Sequence, residues 1–183
     1  EYSHNINSSA ILIGQIRGGE EGVWFTGGHF SLFTMRTYHW TQERPSGLVS
    51  FATGCFLWFP KHLLHQLKAF DEQFFLYWED VDLALRCQKQ NIPIHYVAEA
   101  ILYHSPSSST GGQHSPLTIY YQNRNRFLIL RKHGHFYHWL VFIPFYLAGF
   151  FKRCFLYRKD PLQFKANRQA LLDGIFCLRG RFG

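Results

Sequence analysis

Phe70 to His104 reads FDEQFFLYWEDVDLALRCQKQNIPIHYVAEAILYH, and this stretch decides the fold. It sets six carboxylates (Asp71, Glu72, Glu79, Asp80, Asp82 and Glu99) among many aromatic rings. Val81, Leu83, Ala84, Leu85 and Cys87 supply the apolar contacts of a helix over 79–90. Ile92–Val97 and Ala100–Tyr103 predict two short strands after it. Glu79 and Asp80 open the helix directly after FFLYW. The helix dipole favours ionised carboxylates in a first turn. An aromatic neighbourhood opposes this by desolvation. The balance leaves a carboxyl group able to act as a base near neutral pH. Plain capping of the helix by acids is the alternative reading of the same residues.

Upstream, AILIGQI (10–16) reads as a buried strand, followed by a turn at Gly18–Gly22. Val23–Thr26 forms a short strand ending at Gly27-Gly28, and 34–48 reads as a loop. Val49–Phe59 is an apolar strand region interrupted by Thr53-Gly54. Pro60 opens a helix, KHLLHQL, because proline is tolerated in a first turn. Downstream, SPSSSTGGQHSP (105–116) is a polar, flexible loop. Helices follow over Leu117–Arg131 and about Pro161–Phe176. Alternating strands and helices place the chain in the α/β or α+β class. No GxGxxG or GxxxxGK[ST] phosphate loop is present.

The 183 residues suffice for one ordinary domain with a real core. With 46% apolar and 17% charged residues, the chain is not a disordered or collagen-like sequence. Aromatic residues reach 19%, which favours deep pockets or a wet–dry interface. Cys55, Cys87, Cys154 and Cys177 lie far apart with no CxxC, so reduced thiols in a cytoplasmic setting are the simplest reading.

The net charge of +7 is divided unevenly. Residues 1–123 hold 7 Lys and Arg against 10 Asp and Glu; residues 124–183 hold 12 against 2. A basic tail binds nucleic acid, anionic lipid or diphosphate groups. Here it contains HFYHWLVFIPFYLAGFF (135–151), flanked by Arg131-Lys132 and Lys152-Arg153. That pattern suits a membrane-surface helix rather than a nucleic-acid tail. The run falls short of the ~20 apolar residues of a span. It reads as lying in or dipping into the interface, with a helix docked on the protein body as the alternative.

The central stretch resembles the second half of family 2 glycosyltransferases of the GT-A fold, in their rhamnosyltransferase-like and galactofuranosyltransferase-like branch. The family pattern runs from a TG loop through a hydrophobic strand to FDE-x-FF-x-Y-x-ED-x-DL-x-x-R and a strand pair ending in His. Its counterparts here are Thr53-Gly54, Phe56–Phe59, Phe70-Asp71-Glu72, Phe74-Phe75, Tyr77, Glu79-Asp80, Asp82-Leu83, Arg86 and His104. VWFTGG (23–28) and YYQNRN (120–125) resemble further family segments, so the likeness spans about residues 10–130.

The resemblance implies inverting sugar transfer from a nucleotide-sugar donor to a lipid-linked saccharide acceptor, with rhamnose the first choice of sugar. Asp80 stands at the general-base position, and Glu79 would orient the base or an acceptor hydroxyl. Thr53 and Gly54 would meet the acceptor, Gly54 by letting backbone approach it. Trp78 would either stack on a sugar or serve the core. Arg124 and Asn125 would face the donor phosphates, or form a solvated helix end. His104 would contribute to a Mg²⁺ or Mn²⁺ site on the donor diphosphate. Arg86 is expected to pair with a nearby acid.

The family's DxD motif has no equivalent apart from the Asp80–Asp82 string inside the base motif. Asn91 stands where relatives often carry glycine, and Ala98 where proline is common. The resulting expectation is the acceptor-side half of a GT-A domain over 1–130, lacking its nucleotide-binding half. A basic, aromatic, membrane-associating helical tail follows over 131–183. The protein would sit peripherally at the cytoplasmic face of a bacterial inner membrane, on anionic lipid and without nucleic acid. By itself such a portion would be inactive. The rival expectation is a non-catalytic membrane-binding or scaffolding fragment.

Overall fold

The computed structural model describes residues 9–18, 22–104, 111–112, 114–176 and 182. The core of the turn expected at 18–22, most of the loop expected at 105–116, and Cys177 lie outside the described residues. The protein is mixed α/β, with 46% of the described residues in helix and 21% in strand. It folds as two compact units, which are the described residues within Glu1–Phe30, Thr37–Asp71 and Glu79–Pro106, and those within Ser31–Arg36, Glu72–Trp78 and Ser107–Gly183. This division differs from a single boundary at 130. The helix before that point packs with the tail, and two short upstream segments join it.

The first unit is built on a mixed sheet. Strand β1 (Ile11–Arg17) pairs in parallel with the long β7 (Ile94–Tyr103). On its other edge β1 meets β2 (Val23–Phe25) and β6 (Leu57–Trp58), both antiparallel. Strand β5 (Gly47–Val49) extends the sheet beyond β7, also antiparallel. Strand β1 reads ILIGQIR and is almost wholly buried, as an apolar run in a central strand should be. The two short strands expected at 92–103 are one strand. Its register shifts where Gly14 pairs with Val97 and the next residue, Gln15, pairs with Ile101. At this bulge Gly14 lies so close to the Phe56 ring and the Ala100 carbonyl that a Cβ would overlap both.

A hairpin, β3 (Gly28–Ser31) with β4 (Arg36–His39), replaces part of the loop expected at 34–48. Its RTYH strand is exposed throughout, so it carries no apolar alternation to betray it. Most of the strand expected over Val49–Phe59 is irregular.

Helix α1 (Lys61–Leu67) starts after Pro60 and ends in left-handed Lys68. Helix α2 (Glu79–Lys89) buries Val81, Leu83, Ala84, Leu85 and Cys87. Arg86 pairs with buried Asp82 at 2.8 Å, as expected for that arginine. It also donates to the carbonyls of Leu67 and Ala69, which satisfies the end of α1. Asn91, at φ 54°, turns the chain out of α2. Asparagine tolerates that conformation better than most residues, so glycine is not required there.

The second unit is helical: α3 (Pro116–His133), α4 (Phe136–Leu156) and α5 (Pro161–Phe176). Ser115 caps α3 by accepting from the Thr118 amide at 3.1 Å, with Pro116 in the first turn. Phe127, fully buried on α3, meets Phe142 and Tyr146 of α4 with centroids 5.2 and 4.7 Å apart. Gly174 brings α5 against the same ring, where a Cβ would lie 2.5 Å from Phe127. Tyr120 donates to Asp173 at 2.6 Å across the α3–α5 contact.

Helix α4 has 21 residues, so it runs five beyond the apolar stretch read from the sequence and is long and apolar enough to cross a membrane. Its length is about 31 Å at 1.5 Å per residue. His138, Phe142 and Tyr146, at i, i+4 and i+8, form its buried face. Phe136, Leu140, Leu147 and Phe151 form an exposed apolar stripe.

Candidate active site

Asp80 sits in the first turn of α2, half-buried. Its Oδ1 accepts from the Val81 amide at 2.8 Å, and the amides of Gly54 and of Asp80 itself also favour the carboxylate. These contacts do not prevail. Burial, and then the neighbouring Glu79 charge, push the Asp80 carboxyl up to about 7. Glu79 is raised by its own burial, and its Oε2 meets no hydrogen-bond partner among the described residues. Two adjacent carboxyls are therefore held near the protonated side of their usual range. One carries capacity that the fold does not use. Such a pair can take a proton from a hydroxyl near neutral pH.

Gly54 is exposed, and a Cβ built on it would lie 3.7 Å from Glu79 Oε1, in ordinary contact. The glycine leaves open the space beside the carboxyl pair. Thr53 is buried and directs its hydroxyl to Cys55 Sγ at 3.5 Å. Cys55 is exposed. Burial raises its thiol, and the Asp80 and Glu79 charges raise it further. Cys55 beside the carboxyls is not anticipated by the sequence reading. Its two-residue separation from Thr53, in a loop, was the only signal.

His104 follows β7, tied by its amide to the Arg17 carbonyl at 2.9 Å. Its ring packs edge-on to Trp24 at 5.8 Å. Among the described residues no three His, Cys, Asp or Glu side chains converge on a metal position. His104 is thus a single candidate ligand, and Mg²⁺ or Mn²⁺ would need several further oxygen ligands.

Trp78, Arg124 and Asn125 belong to the second unit and serve its interior, in contrast to the ligand contacts the resemblance implied. Trp78 is buried, and its indole N–H donates to the Gln122 carbonyl at 3.1 Å. This is the core alternative for that residue. Arg124 is buried, donates to the Gln73 carbonyl, and reaches Asn125 Oδ1 at 2.9 Å. Asn125 is fully buried, and its Nδ2 lies 2.8–2.9 Å from the carbonyls of Phe74, Leu76 and Tyr77. Neither side chain is a solvated helix end.

What these two residues hold is unusual backbone. Phe75, Tyr77 and Trp78 have φ of 60°, 63° and 72°, a region that side chains rarely adopt. The next residue in the chain is Glu79. No glycine marks the segment, so the sequence hides it.

No family model matches the chain, and no curated protein matches it significantly. The functional reading therefore rests on the sequence resemblance and on the geometry of the carboxyl pair.

Proposed function

We propose that the chain is the acceptor-side portion of an inverting glycosyltransferase of GT-A type, with Asp80 as general base. The observation that carries this reading is the Asp80 carboxyl. It is half-buried, raised to about 7, and set beside a second raised carboxyl and an exposed glycine. In the reaction, a hydroxyl of a lipid-linked saccharide attacks the anomeric carbon of a nucleotide-sugar. Its proton passes to Asp80 as the new C–O bond forms. The bond to the diphosphate breaks on the opposite face, and the nucleoside diphosphate leaves with the electron pair. Rhamnose is the first sugar to test. Glu79 raises the proton affinity of Asp80 and is placed to meet an acceptor hydroxyl. His104 is a single candidate ligand toward Mg²⁺ or Mn²⁺, and no step is routed through the metal. The exposed stripe of α4, with Lys152, Arg158 and Lys159 at its end, suits attachment to an anionic membrane at the cytoplasmic face of a bacterial inner membrane.

The test is a nucleotide-sugar panel with a lipid-linked acceptor, with and without Mn²⁺, on the protein that carries this chain. Transfer that is abolished by Asp80→Asn while donor binding persists supports the reading. Normal turnover by Asp80→Asn overturns it. The same α4 stripe also supports a non-catalytic membrane-binding role. That role predicts vesicle binding without transfer of any sugar in the panel.

A further inference from the structure

Three arginines of the second unit, Arg36, Arg126 and Arg153, come together without a matching acid. Arg126 lies over the Trp78 ring at 5.8 Å, Arg153 over Tyr146 at 5.3 Å, and Arg36 over Phe145 at 4.6 Å. Tyr146 and Phe145 are neighbours on α4. Arg126 Nε and Arg153 Nη2 are both buried and lack a well-aligned hydrogen-bond partner among the described residues; the one neutral acceptor beside Arg153 is the buried Tyr146 hydroxyl, which interacts with it and carries no charge to balance the guanidinium groups. The other nitrogen of note, Arg153 Nε, donates to Asn167 at 2.8 Å. The carboxylates on α5 and just before it are engaged elsewhere. Asp160 accepts from the Leu162 and Gln163 amides, and Asp173 from Tyr120. An unpaired buried guanidinium donor is costly, and adjacent like charges add to that cost.

We infer that Arg126 and Arg153, with Arg36 at the exposed rim, form a binding site for a phosphate or diphosphate group. Guanidinium forks match phosphate oxygens in geometry and charge, and such a ligand satisfies both idle donors at once. Arg126 behaves as this arrangement requires. Burial, and then Arg153 and Arg36, lower it to about 10. A dianion would relieve the repulsion. The phosphate would come from a lipid headgroup or from a soluble diphosphate. The inference stands on the second unit alone, whether or not Asp80 acts as a base.

The test uses the full chain and two probes at matched ionic strength. One probe is inorganic pyrophosphate, followed by calorimetric titration and thermal shift. The other is phosphatidylcholine vesicles with or without phosphatidic acid. Saturable pyrophosphate binding is expected, weakened about tenfold or more by Arg126→Gln and by Arg153→Gln. Arg44→Gln serves as the control, since that side chain stacks on Trp40 in the first unit and has no part in the cluster. Arg126→Gln should also melt at a higher temperature than wild type in anion-free buffer, because an unpaired buried charge is gone. If the buried variants fail to fold, Arg36→Gln at the exposed rim reads the same loss. Competition of pyrophosphate by phosphatidic acid vesicles assigns the phosphate to lipid, and its absence assigns it to a soluble diphosphate. No saturable binding of either probe, or equal binding by wild type and all three arginine variants, overturns the inference.

Discussion

Asp80→Asn separates the electrostatics of the site from its chemistry, because it is legible in stability as well as in turnover. The carboxyl moves from its ordinary 3.8 in the unfolded chain to about 7 in the folded protein. Folding therefore takes up a proton between about pH 4 and pH 7. Wild-type stability falls as pH rises through that window and is level above it. A shift of about 3 pH units, at about 1.36 kcal/mol each, sets an upper bound of about 4 kcal/mol. Asp80 retains some contact with water, and screening brings the expected span to about 2 kcal/mol. Asparagine carries no proton to exchange. Its stability relative to wild type should thus rise by about 2 kcal/mol from pH 4 to pH 7 and stay constant beyond. The assay is urea unfolding at half-unit pH steps, followed by tryptophan fluorescence. Titrations shared by both proteins cancel in the difference. A difference independent of pH, or one that shrinks as pH rises, refutes the account of Asp80. In turnover, the same carboxyl predicts a rate that falls about tenfold per pH unit below 7 and a loss of about 10²-fold or more in the variant.

Glu79→Gln removes the neighbouring charge that helps raise Asp80, so the midpoint of the rate–pH profile should move below 7; an unmoved midpoint would show that burial alone sets it. Asn125→Ala removes hydrogen bonds to three backbone carbonyls and should cost about 2–4 kcal/mol of stability by chemical denaturation. A loss below about 0.5 kcal/mol would mean that the left-handed segment holds itself. Leu140→Asp with Phe151→Asp places charge on the exposed stripe of α4 and should release the chain from anionic vesicles in flotation, with unchanged helical circular dichroism. Equal flotation would exclude that stripe as the lipid contact.

Much of the fold is legible because its periodicities are strong. AILIGQI is apolar apart from the buried Gln15, as suits a strand covered on both faces. EDVDLALRCQK places its acids first and its basic residues last, which matches the dipole of the helix it forms. The misses have physical causes. RTYH carries no aliphatic residue to mark a strand; its partners are other rings, with Tyr38 stacked on His29 and His39 edge-on to Phe25. The two short strands at 92–103 merge because Gly14, on the partner strand, admits a bulge that keeps them in one ladder. In α4 the charged pair Lys152-Arg153 closes the apolar run in the sequence. The helix continues because neither residue breaks one. Phe127, Tyr120 and Gly174 tie α3 to the helices after it, a packing that extends to both sides of residue 130.

The carboxyl pair was legible as first-turn acids after aromatics, whereas the device upstream of it was not. Phe75, Tyr77 and Trp78 adopt left-handed backbone without glycine, at roughly 1–3 kcal/mol each. A loop needed only to connect two elements would use glycine at such positions, most readily at Phe75, whose side chain is 56% exposed. Glycine would relieve strain but also free the segment to sample other paths. Bulky residues, with Asn125 and Arg124 fixing the carbonyls of residues 73, 74, 76 and 77, restrict it to one path. That path ends at Trp78, one peptide bond before the first carboxyl of the pair. Within the second unit Asn125 and Arg124 therefore serve to fix a strained backbone path, a role the YYQNRN sequence does not disclose because their carbonyl partners lie about fifty residues upstream.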